Sequence, residues 1–319
     1  MYPRAATGMH RPKRYSLHGG ANYTAAKRDI RMSEKTVARV MCVGIATLDI
    51  INRVERYPTE DSEVRALAQS QRMGGNAANT AIVLAQLGVQ AFWVGNLARS
   101  AGIVDQTFAR HGVNASLALR IPNGVMPTSY ILLSEASGSR SIVHFRDMPE
   151  YLAENFLDLD LRGFDWVHFE GRAIDQLVPM LRRARGTCGL PVSLEVEKPR
   201  TGIEELFEQA DLLLFSRVYA QARGFLDAPA LLYSLPQGVL ATCTWGAEGA
   251  WAIDHERRLL HVAAPLLGTV VDTLGAGDVF NAAMVHALSS GRTVKQALRG
   301  AVALASSQCT REGLQLVDE

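Results

Sequence analysis

The chain alternates between short runs that are apolar throughout and longer stretches whose apolar residues recur at helical spacing. Residues 38–46 (ARVMCVGIA), 91–97 (AFWVGNL), 166–171, 191–197, 212–216 and 239–245 are of the first kind. Such runs predict strands buried on both faces, as in a parallel sheet. Residues 76–87 (NAANTAIVLAQL), which stop at Gly88, predict a helix, as do 173–185 and 279–289. The resulting βαβα succession predicts an α/β fold: a doubly wound, mostly parallel sheet with helices on both faces.

Two stretches interrupt this rhythm. Residues 54–73 mix polar runs with β-prone residues, and 128–145 (TSYILLSEASGSRSIVHF) reads as a hairpin around 136–139. Together they predict a small β-sheet lid. The apolar face of so small a sheet needs cover from a ligand or a partner chain.

Composition narrows the class. Of 319 residues, 48% are hydrophobic and 20% charged, enough for a full core. No apolar run of about 18 residues exists, so no membrane-spanning helix is predicted. Thirty-three Lys and Arg stand against 32 Asp and Glu, which argues against a nucleic-acid partner. The charge is uneven, however. Residues 1–39 carry nine basic side chains and two acids, a net of +7, leaving −6 for residues 40–319. Residues 1–36 therefore read as a flexible basic tail ahead of a single domain at 37–319. Three explanations offer themselves: a start codon placed upstream of a natural start at Met32, an organelle transit peptide, or an arm that binds an anionic surface. The four cysteines lack metal-ligand spacing and read as reduced thiols of a cytoplasmic protein.

Three motifs carry candidate chemistry. In VDTLGAGD (271–278) a strand end turns into a helix, and Gly275, Ala276 and Gly277 bring bare backbone N–H groups to the helix N-terminus. That is a place for phosphate or developing negative charge. Asp278 lies in the first turn, where a carboxylate should stay ionised and could take a proton from an attacking hydroxyl. In GGNAAN (74–79), Asn76 and Asn79 share one face of a helix start, and carboxamides suit the hydroxyls of a neutral polyol. Asp49 follows the first strand, where ligand sites of α/β sheets lie. Neither GxxxxGK[ST] nor GxGxxG occurs. His144 and His168 sit in apolar strand contexts and read as packed polar residues. Glu195, Glu197 and Lys198 end a buried strand and could line the cleft.

The DTLGAGDVFNAAM and GGNAANTAIVLAQLG segments resemble the two signatures of the PfkB (ribokinase-like) carbohydrate kinases. The stretches 57–63, 134–140, 166–172 and 195–200 resemble most its ketohexokinase branch, which phosphorylates O1 of fructose. The resemblance implies Asp278 as catalytic base, Gly275–Gly277 as anion hole, and Asp49, Gly75, Asn76 and Asn79 as sugar ligands. It implies Arg140 at the nucleotide phosphates and Gly246, Ala247, Glu248 and Gly249 bordering the nucleotide. It further implies ATP with Mg2+, K+ near Asp272 and Thr273, and a homodimer paired through the lids. Two departures stand out. Asn96-Leu-Ala-Arg-Ser100 replaces a GDD-like segment, and Ser216-Arg-Val-Tyr219 stands where many members place Asn-x-x-Glu. The second is shared by the ketohexokinase branch and leaves the magnesium ligands unnamed. The expected activity is ATP-dependent phosphorylation of a ketohexose. Sulfo- or deoxy-ketoses, ribose, nucleosides, or a non-catalytic sugar or nucleotide sensor are the alternatives.

Overall fold

The computed structural model describes residues 37–316, so the basic tail read at 1–36 lies outside the described residues. The main sheet has eight strands in the order Leu259–Val262, Ala250–Ile253, Leu240–Thr244, Leu212–Ser216, Val192–Val196, Trp166–Glu170, Arg39–Val43, Gln90–Val94. From Leu240–Thr244 to Gln90–Val94 all neighbours are parallel. The other two strands add on in antiparallel fashion.

The all-apolar strands follow from the layering. Along Arg39–Val43, Val40 and Cys42 enter one core while Met41 and Val43 enter the other. The first core is closed by the helices Asn76–Gln86, Ile103–His111, Ala276–Ser289 and Val294–Gln308; Ile174–Leu181, Arg217–Ala222 and Ala228–Ser234 cover the second. A strand with helices on both faces has no polar side to show, which accounts for the missing period of two.

Several boundaries differ from the sequence expectation for local reasons. The expected 91–97 strand breaks into Gln90–Val94 and Asn96–Ala98. Between them Gly95 packs so closely that a Cβ there would sit 2.3 Å from the Gly44 carbonyl oxygen. The 173–185 helix ends at Leu181 and continues as a π-helical turn, Arg182–Thr187. The 279–289 helix starts earlier, at Ala276, behind Gly275 in the left-handed conformation.

The second sheet is larger than the lid expected at 54–73 and 128–145. It is a four-stranded sheet in the order Ala68–Gly74, Thr47–Val54, Thr128–Ser134, Arg140–Phe145. The lid begins at Thr47, not at residue 54, because the chain leaves the main sheet at Gly44 and pairs anew within a few residues. A side chain at Gly44 would collide with Glu170 and Ala77, so the crossing between sheets needs glycine there. Register places Asp49, Arg72, Ser129 and His144 side by side across the four strands, on one face. The opposite face carries Ile50, Tyr130 and Val143 in a row, with Phe145 beside them. Val143 is 70% exposed and Phe145 53%.

Among the described residues no helix is long and apolar enough to cross a membrane. All four cysteines are free, and Cys42 and Cys243 are buried.

Candidate active site

Six parallel strands end at one edge of the main sheet, and most sequence candidates lie at that edge or on the lid above it. Asp49 is on the second lid strand rather than in a loop after the first main-sheet strand, as the sequence suggested. It is buried, and its Oδ1 accepts a 2.8 Å bond from the Thr47 hydroxyl. Gly74 pairs opposite Thr47, and a Cβ on it would lie 2.2 Å from Asp49 Oδ2. The carboxylate thus rests on bare backbone. Gly75 has φ 101°, and a Cβ there would meet the Ile45 carbonyl at 2.3 Å. The double glycine therefore serves two distinct needs: space for Asp49, then a left-handed turn into the helix.

That helix, Asn76–Gln86, brings its first turn to Asp278. Asn79 Nδ2 donates to Asp278 Oδ2 at 2.7 Å, and both residues are buried. Asn76 Nδ2 donates instead to Glu195 Oε1 at 3.1 Å and Glu197 Oε2 at 3.2 Å. Asn281, one turn beyond Asp278, donates to the same Glu195 oxygen at 3.1 Å. Glu170, the last residue of its strand, accepts from the Ile45 and Ala77 N–H groups, and its other oxygen meets Arg172 at 3.3 Å. It fixes the turn that presents Asp49 to one side and Asn76 to the other.

The helix Ala276–Ser289 carries Asp278 in its first turn. The N–H groups of Gly277 and Asp278 have no intrahelical acceptor there, and the space where a Gly277 side chain would project is open. This is the geometry expected of an anion hole. The electrostatics depart from expectation. Burial, and then the nearby carboxylates Glu197, Glu170 and Asp49, push Asp278 well above the ordinary carboxylate range, against the Asn79 hydrogen bond that lowers it. Glu195 is raised in the same way, by burial and by Asp278, Glu170 and Glu197. Sequence reasoning weighed only the helix dipole on Asp278 and could not see four acids folded around it. Glu195 Oε2 is buried with no hydrogen-bond partner.

Glu195 and Glu197 both meet Asn76 close to Asp278, whereas Glu170, Arg172 and Asn281 were missed as individual residues. Their signal was faint: a carboxylate closing an apolar strand, and a polar residue three after Asp278 on a helix face otherwise apolar. His168 is packed as expected, its Nδ1 2.9 Å from Ser193 Oγ. His144 is not. It is exposed on the Asp49 face of the lid, near Ser129 Oγ at 3.3 Å.

Farther along the sheet edge, Gly246–Glu248 forms a turn after the Leu240–Thr244 strand, with Gly246 and Gly249 both at positive φ. Arg217 reaches to within 3.6 Å of where a Gly246 Cβ would be. Arg140 opens the last lid strand opposite Leu133, exposed and on the Asp49 face. The loop ahead of Gly275 is tied down by side chain and backbone. Asp272 Oδ2 accepts from Arg72 Nη1 of the lid at 2.9 Å, and its Oδ1 from the Leu274 N–H at 2.8 Å. The Thr273 carbonyl accepts from the Ala276 N–H at 3.4 Å. Among the described residues, no three His, Cys, Asp or Glu side chains are grouped as a ready-made metal site.

Comparison with known proteins gives a consistent picture. The profile of the pfkB family of carbohydrate kinases matches residues 37–319. Ketohexokinase from Mus musculus is 37% identical over 296 residues, covering 88% of this chain and 98% of that protein. Ribokinase from Cryptococcus neoformans, solved with ADP, superposes with a TM-score of 0.74 at 19% identity, over 87% of this chain and 95% of the other. Arabidopsis thaliana ribokinase, solved with ribose and ATP, gives 0.68 at 22% identity over 87% and 94%. At those identities the two structures speak for the fold alone, which is ribokinase-like.

Proposed function

We propose that this chain, which belongs to the pfkB family of carbohydrate kinases and is a phosphotransferase with an alcohol acceptor, transfers the γ-phosphoryl group of ATP to O1 of D-fructose. The observation that carries the ketohexose reading is the similarity to ketohexokinase, 98% of whose length is matched. The chemistry of the site supports it. Asp49, Asn76 and Asn79 offer acceptors and donors for neutral hydroxyls. Arg72, the cation beside Asp49 in register, is spent on Asp272 and so offers little to a sulfonate or a sugar phosphate.

In this reading the sugar lies under the lid against Asp49, Gly75, Asn76 and Asn79. Asp278 takes the hydroxyl proton as the oxygen attacks phosphorus, and the first-turn N–H groups behind Gly275 and Ala276 receive the negative charge of the transferring group. The raised proton affinity of Asp278 makes it a stronger base than an exposed aspartate. Arg140 and Arg217 face the nucleotide phosphates, and the Gly246–Gly249 turn leaves room for the base and ribose.

Mg2+ supplies charge neutralisation on the phosphates when bound. The residues fit it: magnesium usually takes one or two carboxylates together with phosphate oxygens and water, and the buried Glu195 offers an unpartnered Oε2 beside the partly exposed Glu197 carboxylate. K+ gains little at Asp272, because the Arg72 guanidinium already neutralises the carboxylate and the Leu274 N–H takes a further acceptor position. No step is assigned to it.

The unit of assembly in this reading is a homodimer that buries the outer lid face, Ile50, Tyr130, Val143 and Phe145, and it works in the cytoplasm. ADP release from MgATP on addition of D-fructose tests the function directly. Release without sugar dependence, or none with any sugar, would favour a sensor.

A further inference from the structure

We propose that Arg72 is a built-in replacement for a monovalent cation, so that phosphoryl transfer by this enzyme is independent of potassium. The inference rests on the kinase reading above but not on which sugar is phosphorylated. Three observations carry it. The guanidinium of Arg72 lies 2.9 Å from Asp272 Oδ2, across 200 residues of sequence, from a lid strand to the loop that runs into the anion hole. The remaining Asp272 oxygen is taken by the Leu274 N–H, and the Thr273 carbonyl by the Ala276 N–H. The same loop is fastened from behind, where the Val271 and Asp272 N–H groups donate to the Cys309 carbonyl at the end of the Val294–Gln308 helix.

A potassium ion at this point would neutralise the Asp272 carboxylate and hold the loop so that Gly275–Gly277 face the phosphoryl group. The guanidinium does both tasks without a diffusible partner. It also excludes the ion, because two cations would compete for one carboxylate. Arg72 and Asp272 are only partly exposed, with side chains 29% and 21% accessible, so the pair is less screened than one in open solvent. A further consequence is mechanical. Arg72 sits opposite Asp49 in the lid register, so the strand that presents a carboxylate to the sugar is the neighbour of the strand that grips the anion-hole loop. Arg72 is therefore a positioning residue. It acts through Asp272, fixing how the two halves of the site meet.

The test compares about 100 mM KCl with choline chloride at equal ionic strength, using whichever sugar the enzyme turns over. The wild type should show kcat/KM equal within about two-fold in the two salts, whereas Arg72→Gln should lose at least about ten-fold in choline, mostly in kcat, and regain much of it in KCl. Arg72→Lys, which keeps the charge, should stay potassium-independent. Thermal melting of the sugar-free proteins gives a readout free of catalysis: KCl should raise the Tm of Arg72→Gln relative to choline and leave the wild type unmoved. A wild type activated about ten-fold by potassium, or stabilised by it, would overturn the proposal, as would Arg72→Gln with unchanged kcat/KM in choline. Because the wild-type comparison needs no variant, misfolding of Arg72→Gln would not spare the idea. Because melting needs no sugar, a failure of the fructose assignment would be visible separately.

Discussion

The side-chain amide of Asn79 donates a 2.7 Å hydrogen bond to the carboxylate of Asp278, 199 residues away. In the proposed reading, one contact thereby joins the helix start that meets the sugar to the helix start that meets the phosphate. It places the candidate base beside the candidate sugar ligands, and it is the donor that restrains a carboxyl group which burial and neighbouring acids push upward.

Asp278→Asn should lower kcat by roughly 10²–10⁴ with little change in sugar KM, since a base acts in the transition state. The change is nearly isosteric and removes a buried charge, so the fold should tolerate it. Steady-state kinetics, with a melting curve to show folding, would check this; near-normal turnover would remove Asp278 from its role.

Asn79→Ala should act in two ways. Sugar KM rises because a ground-state contact is lost. The acidic limb of the kcat/KM–pH profile also moves to higher pH. The sign follows from the causes: the Asn79 hydrogen bond is what lowers the proton affinity of Asp278, so losing it leaves the base protonated up to a higher pH. An unmoved limb alongside a raised KM would separate the two roles and contradict the second.

Glu195→Gln should stabilise the protein at pH 8 and do so less at pH 5. The Glu195 carboxyl is raised above its ordinary value by burial and by three neighbouring acids. Its contribution to stability is therefore present below the ordinary value of about 4.3 and is lost as pH rises toward the elevated folded value. Glutamine is neutral throughout and can still accept from Asn76 and Asn281. A Tm gain of a few degrees, about 2–4 °C for each kcal/mol, is expected at pH 8. Equal effects at both pH values would contradict the electrostatic account.

Val143→Glu should convert a dimer to a monomer. Val143 lies in the apolar row with Ile50 and Tyr130 on the outer lid face and is the most exposed of the four apolar side chains there. A charge in the middle of that face would have to be buried unpaired. Sedimentation at micromolar concentration would show the shift; a wild type already monomeric would end the dimer reading.

Much of this was legible in the sequence for a physical reason. Strands sandwiched between two helical layers cannot alternate, so their runs stand out, and small residues at a helix start announce a site whatever surrounds it. Asp278, Asn79 and Asp49 could be named from such local patterns. What could not be read depends on register and on distant packing. Asp49 reads as a loop residue because nothing local shows that the chain crosses to a second sheet at Gly44, where Glu170 and Ala77, distant in sequence, leave room for glycine alone. The fate of Asp272 turned on Arg72, which only the pairing of Ala68–Gly74 with Thr47–Val54 brings into reach. His144 looked like a core residue because its neighbours are apolar, yet its strand is an exposed lid edge.

In the proposed reading the site is built for a neutral ketohexose. The most direct measurement is kcat/KM for D-fructose, D-ribose, adenosine and sulfofructose at saturating MgATP, with the product position read by phosphorus–proton NMR. The highest value is expected for D-fructose, with the phosphate on O1, because Asp49, Asn76 and Asn79 match hydroxyls and a site built on such bonds penalises analogues that leave them unpaired. A higher value for ribose, adenosine or sulfofructose, or a phosphate on O6, would contradict it.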